Sequence, residues 1–169
     1  MQAQRFHSIV RFSSPESISG INIIAPASGR IAVIEDSDQN RLGQGVKINL
    51  ESQSIISPIN GQVVDVSPAH GRVLLRAKNK LLFLLQLPQE YSDFHGQGLR
   101  LTVKVGQAIT KGMVILELDL FKVKLNLQPL PLYVSVINTD AFRRIEVPYK
   151  YVEKGQDTLF SLVPNQKKK

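Results

Sequence analysis

Ile23-Ile24-Ala25-Pro26-Ala27-Ser28-Gly29-Arg30-Ile31 and Ile55-Ile56-Ser57-Pro58-Ile59-Asn60-Gly61-Gln62-Val63 are two copies of one pattern. Residue 55 falls on residue 23, an offset of 32 residues. Each copy reads as a short apolar strand, a Pro-x-x-Gly turn and a second, β-branched strand. Proline fixes φ at the turn entry, and glycine accepts the positive φ that closes it. The repeat therefore predicts two β-hairpins of the same build, related by approximate internal symmetry. A looser echo sets Val105-Gly106-Gln107 and Lys111-Gly112, before Met113 to Leu120, against Glu153-Lys154-Gly155-Gln156, before Thr158 to Val163. Here too a glycine turn feeds a strand.

Outward from the repeat, the chain continues as short strands. Candidates are Arg72 to Ala77, Leu81 to Gln86, Arg100 to Val103, Val114 to Asp119 and Leu132 to Val136, with turn residues between them. Helical period is weak, and the best helical turns lie around Phe121 to Leu125 and Thr139 to Arg144. So many short strands in one chain predict an all-β flattened barrel or sandwich, which resolves exposed strand edges by near closure. Leu81-Leu82-Phe83-Leu84-Leu85 is apolar at every position and reads as a central strand covered on both faces. Gln86 ends it, and Pro88 cannot continue a ladder. The expected core includes Leu82, Leu84, Val73, Leu75, Ile115 and Val134.

The 169 residues suffice for one buried core, so a single domain over residues 19–165 is expected, after an extension over 1–18 and before a basic tail over 166–169. With 43% apolar and 21% charged residues and no apolar run long enough to span a bilayer, membrane insertion is not expected. Residues 1–20 lack the apolar core of a secretory signal, and there is no cysteine, so disulfides and thiolate zinc are excluded. A cytoplasmic location fits. The net charge of +7 favours an acidic partner surface, but the basic residues are scattered, with one dense run at Lys167 to Lys169, and nucleic acid is not an expected partner. His7 and His95 have no second ligand at a metal-binding spacing, so neither metal nor cofactor is expected.

Several motifs occur in one familiar order: Ile24-Ala25-Pro26-x-x-Gly29, Gly43-Gln44-Gly45-Val46, Pro58-x-x-Gly61, Pro68-Ala69-His70, Phe94-His95-Gly96-Gln97-Gly98-Leu99, Val105-Gly106-Gln107 with Lys111-Gly112, and Leu132 to Asn138. In this the chain resembles the glucose-type IIA domains of the bacterial sugar phosphotransferase system, from about Ser19 to Val163. The resemblance implies an all-β fold of the duplicated hairpin type and a cytoplasmic phosphocarrier. Such a carrier accepts a phosphoryl group from the histidine carrier protein HPr, passes it to a permease IIB domain, and binds regulatory targets through the apolar patch around its site.

The family's site pairs two histidines from neighbouring strands. A neutral imidazole supplies the nucleophilic lone pair, and the second histidine orients it and stabilises transferring charge. Carried over, the supporting histidine falls on His70 and the nucleophile on Gln86, whose amide nitrogen is delocalised into its carbonyl and cannot attack phosphorus. The family's glycine after the nucleophile is Pro88, and its threonine before the supporting histidine is Pro68. The loop from Ile34 to Gly43 is short and polar, with Asp36 to Arg41 in place of an apolar rim residue.

The resemblance thus implies a degenerate homologue that is not phosphorylated and acts by binding protein partners, with Gln86, His70, Pro68, Pro88 and Val46 at the docking face. An active carrier using His70 is the alternative, and His70 also reads as an ordinary turn histidine, as Gln86 does as a polar strand end. Biotinyl or lipoyl carriers need a lysine at a hairpin tip, where Ala27-Ser28 and Ile59-Asn60 stand, and zinc peptidases need a His-x-His pair that is absent. Gln86 and His70 are expected side by side at the ends of adjacent antiparallel strands, on a shallow, mostly apolar surface.

Overall fold

The computed structural model describes residues 8–34, 42–88, 98–124 and 129–166. His7, His95, the Asp36 to Arg41 loop, Phe94 to Gln97 and the Lys167 to Lys169 tail lie outside the described residues. In chain order the strands are β1 (Val10–Phe12), β2 (Ile21–Ile24), β3 (Gly29–Val33), β4 (Gln44–Leu50), β5 (Ser54–Ile56), β6 (Gly61–Ser67), β7 (Arg72–Ala77) and β8 (Leu82–Gln86). They continue as β9 (Leu99–Leu101), β10 (Ala108–Ile109), β11 (Val114–Leu118), β12 (Pro131–Val136), β13 (Phe142–Val147), β14 (Tyr151–Val152) and β15 (Thr158–Pro164). A five-residue helix, α1 (Leu120–Lys124), lies at the first of the two expected helical turns. The second expected turn is not helical: Phe142 N donates to Thr139 O at 3.0 Å, and the chain then enters β13, whose residues Ile145 and Val147 need a sheet to bury them.

The all-β class holds. An eight-stranded sheet runs in the order β10-β6-β7-β8-β12-β4-β3-β14, beside a four-stranded sheet β1-β13-β15-β2 and a three-stranded sheet β5-β11-β9. Among the described residues all pairings are antiparallel except β1 with β13. The order of the large sheet reads the same from either end once the two halves of the chain are matched: β6 stands for β3, β7 for β4, β10 for β14 and β8 for β12. The small sheets match too, β5-β11-β9 against β2-β15-β13. The two sequence echoes are therefore parts of one duplication, with the pseudo-twofold axis between β8 and β12.

The two Pro-x-x-Gly segments are corners rather than hairpins with paired arms. β2 pairs with β15 while β3 pairs with β4 and β14; β5 pairs with β11 while β6 pairs with β7 and β10. Each corner carries the chain from a small sheet to the large one, which is how two layers share one core. The glycine is demanded chiefly by close approach. A Cβ on Gly29 would stand 1.9 Å from Asn49 O, and one on Gly61 would stand 2.0 Å from Arg76 O. Gly29 also has φ +153°, whereas Gly61 is not among the positive-φ glycines, so the expected turn conformation applies to one copy only.

The core lies between the large sheet and the two small ones. Val73, Leu75, Ile115 and Val134 are at most 1% exposed and belong to it; Leu84 is 5% exposed but lies outside this cluster, on the outer face of β8. Leu82 is only half-buried, because it begins β8 on the outer face near the sheet's end. β8 is central, flanked by β7 and β12, and sends Phe83, Leu85 and Leu87 into the core.

Candidate functional site

Alternation along β8 decides where Gln86 points. Phe83, Leu85 and Leu87 occupy the inner face, so Leu82, Leu84 and Gln86 share the outer one. The same period puts Arg72 and Leu74 of β7, Tyr133 of β12 and Lys47 of β4 on that face. The register makes a straight row of them: Ser67 is opposite Arg72, Arg72 opposite Gln86, Gln86 opposite Tyr133, and Tyr133 opposite Lys47. Beside this polar row runs an apolar one through Leu74 and Leu84. A shallow depression of about 240 Å³ opens here, bounded by Asp65, Arg72, Leu74, Leu84, Gln86 and Ile137. Asp65 stands 3.7 Å from the Arg72 guanidinium, and both side chains are exposed enough for the pair to be weak.

His70 is not on a strand. It ends a 3-10 turn, Pro68–His70, closed by Gly71 at φ 57°, whose N–H donates to Pro68 O at 3.2 Å. Its Nδ1 lies 2.7 Å from Ser67 Oγ, so the exposed ring is oriented by the hydroxyl of the residue just before its own turn. The ladder continues past Gln86, with Leu87 N donating to Gly71 O at 3.0 Å. Gln86 therefore faces Arg72 across the pair, and His70 sits two residues before Arg72 in the turn that leads into β7. The expected placement of His70 at a strand end gives way to a place in the turn before β7, where its ring hydrogen-bonds Ser67, and the strand partner of Gln86 is Arg72.

Among the other expected docking residues, Pro68 is exposed at the start of the turn, while Pro88 is buried. Val46 is wholly buried in the core beneath β4 and presents nothing to a partner, which corrects its assignment to the docking face. The reason is the period of two: Lys47 takes the outer face, so Val46 takes the inner one. Arg72, Tyr133 and Lys47 escaped the sequence reading. Arg72 and Arg76, four residues apart with Val73 and Leu75 buried between them, mark one face of β7 as outward, but only strand pairing reveals that Arg72 meets Gln86.

Chemically, the Gln86 amide offers two N–H donors and a carbonyl acceptor but no nucleophilic nitrogen. The His70 imidazole presents a lone pair at Nε2 when Nδ1–H donates to Ser67 Oγ, and an N–H when the hydroxyl donates instead. Among the described residues no group of three or more His, Asp or Glu side chains is gathered to hold a metal ion. Nor is any described helix long and apolar enough to cross a membrane.

Residues 21–142 match the family model described as phosphoenolpyruvate-dependent sugar phosphotransferase system, EIIA 1. Similar curated proteins include a PTS system glucose-specific EIIA component of Staphylococcus epidermidis, 29% identical over 142 residues, covering 80% of this chain and 86% of the relative. One of the same description from Staphylococcus aureus is 26% identical over 151 residues, covering 86% of this chain and 91% of its own length. The glucose permease IIA from Mycoplasma capricolum has a similar fold, with a TM-score of 0.72 over 85% of this chain and 96% of that one, at 21% identity.

Proposed function

Since this chain belongs to the EIIA 1 family of the phosphoenolpyruvate-dependent sugar phosphotransferase system, we propose that it is a member that does not carry phosphate and works by binding protein partners at the outer face of its central sheet. One observation carries the reading. The side chain at the outer end of β8 is a glutamine amide, and the residues directly opposite it are Arg72 and Tyr133 rather than an imidazole. No lone pair at Gln86 is available to form a nitrogen–phosphorus bond. The His70 ring is hydrogen-bonded to Ser67 through Nδ1.

What the face retains suits docking. Leu74, Leu84 and Ile137 form an apolar patch rimmed by Arg72 and Asp65, the make-up of a small protein contact. Partners of this kind are the HPr carrier, a permease IIB domain or a regulatory target, met in a cytoplasmic setting.

The test is phosphoryl uptake. Purified chain is mixed with enzyme I, HPr and phosphoenolpyruvate, and its intact mass is read under alkaline conditions that preserve phosphohistidine. No phosphoryl adduct is expected, while a complex with HPr or a IIB domain should form whether or not the partner is phosphorylated. Gln86→His should restore slow uptake, since it supplies the missing ring nitrogen. A second reading, in which His70 itself is the acceptor, is favoured by its exposed ring and the Ser67 contact. Uptake by the unmodified chain that disappears in His70→Ala would establish it and overturn the proposal.

A further inference from the structure

The two halves of the duplication repeat several of their corner contacts. Ala25 N donates to Asp157 O and Gly155 N to Ala25 O, each at 2.9 Å; Ser57 N donates to Met113 O at 2.8 Å and Gly112 N to Ser57 O at 2.9 Å. Lys154 N donates to Ser28 Oγ at 2.9 Å, and its counterpart Lys111 N donates to Asn60 Oδ1 at 2.8 Å. At the edges of β2 and β5 the halves differ. Lys154 Nζ reaches across to Ser54 of β5, bonding its carbonyl at 3.3 Å and its hydroxyl, and Ile56 N donates to Pro26 O at 2.9 Å. The edge of β5 is thereby latched shut.

The corresponding residues in the other half are Lys111, Asn22 and Ile24 of β2, and Pro58. They make neither contact among the described residues. In place of the latch there is an open groove of about 300 Å³, with Lys111 and Lys78 on its rim. Its floor is apolar: Ile23, Ile59, Leu81 and Phe83 are all at most 7% exposed. Among the described residues no acidic side chain lines it. Among the described residues β2 is also the terminal strand of its sheet, paired only with β15. Both backbone groups of Ala25 turn toward the β15 side, so by strand alternation those of Ile24 and Asn22 turn toward the groove.

We propose that this slot takes an extended, acidic segment of a partner protein, which adds as a strand along β2. The backbone groups of Asn22 and Ile24 would supply the ladder, alternate apolar side chains would enter over Ile23 and Phe83, and carboxylates would pair with Lys78 and Lys111. Charge selects this occupant over a second copy of the chain. Edge-to-edge pairing of two copies is isologous and would bring like lysine pairs together. The slot lies at the turn between β7 and β8, the far end of β8 from Gln86, so the surface is independent of whether the chain carries phosphate.

The test uses the full chain as bait for a display library of random linear dodecapeptides, followed by anisotropy titration of synthesised winners. Enrichment of alternating apolar residues with Asp or Glu is expected, with amide shifts centred on Ile21 to Ile24, Lys78 and Lys111. Lys111→Glu should weaken binding about tenfold or more. Asn22→Ser gives Lys111 the hydroxyl that Lys154 finds at Ser54, so it should close the slot and weaken binding without loss of fold. Thermal melts of each variant verify folding. Winners without acidic residues, winners insensitive to both substitutions, or shifts confined to the Gln86 face would overturn the proposal. So would a dimer in sedimentation that Asn22→Pro abolishes while no acidic peptide is enriched, since a second copy would then own the edge.

Discussion

Replacing Leu85 with alanine tests the register that puts Gln86 on the outer face. Leu85 is 1% exposed and stands between Val73 of β7 and Val134 of β12, its ladder partners, which are 1% and 0% exposed. Truncation removes three carbons of side chain from a site whose neighbours are held by hydrogen-bonded strands on both sides, so little collapse into the gap is possible. Leu→Ala changes in such settings cost about 2–5 kcal/mol, and poor relaxation places this one at about 3–5 kcal/mol. A chain of this size loses roughly 2–4 °C of Tm per kcal/mol, which gives a fall of about 6–20 °C. Urea unfolding followed by circular dichroism should show a lower midpoint with an unchanged slope. Leu82→Ala, on the half-buried outer face, should cost only about 1 kcal/mol. If Leu82→Ala proves as costly as Leu85→Ala, the register is off by one, and a slip of one residue would turn Gln86 inward.

Gly61→Ala should cost about 3 kcal/mol or more, because the new Cβ meets a backbone carbonyl at 2.0 Å, whereas Gly112→Ala, at φ +93° in open space, should cost about 1–2 kcal/mol; equal melting temperatures would refute close approach as the reason for the corner glycine. Arg144 pairs with the nearly buried Glu146 at 3.1 Å, so Arg144→Met strands a carboxylate and should cost about 3 kcal/mol, against about 1 kcal/mol for Glu146→Gln, and the reverse order in urea midpoints would contradict the burial. Tyr151 donates to Glu51 at 2.7 Å, and that bond, before desolvation and the nearby carboxylate charges, raises its phenol above the ordinary 10.0. The neutral phenol is the form the fold favours, so this contribution to stability is present below pH 10 and lost as pH rises through the folded value; spectrophotometric titration should show one late-titrating tyrosine that returns toward the ordinary value in Glu51→Gln.

The sequence was most informative where a constraint is local. Strand β7 coincides with the expected run, and β8, β11 and β12 fall within a residue of theirs, because period-two patterning needs only burial of one face to be read. The motif order pointed to the family before any coordinates, and the amide of Gln86 is silent as a nucleophile whatever surrounds it. Pairing, in contrast, is a relation between distant residues, and local pattern does not encode it. Ile23 to Ile31 looks like a hairpin, yet its arms join different sheets: β2 pairs with β15 far along the chain, and β3 with the next strand, β4, and with the distant β14.

The same limit governs the site. Pro68-Ala69-His70 and Gln86 were legible as candidates. That Arg72 rather than His70 faces Gln86, that Lys47 rather than Val46 looks outward, and that one lysine latches a strand edge while its counterpart leaves a slot open, are matters of register and of side-chain reach. A register shift of one residue exchanges the two faces of a strand. Sequence by itself determined which residues alternate and which chemistry each can perform; only the tertiary structure decided which of them meet, because the hydrogen-bonded ladders joining distant strands set the contacts.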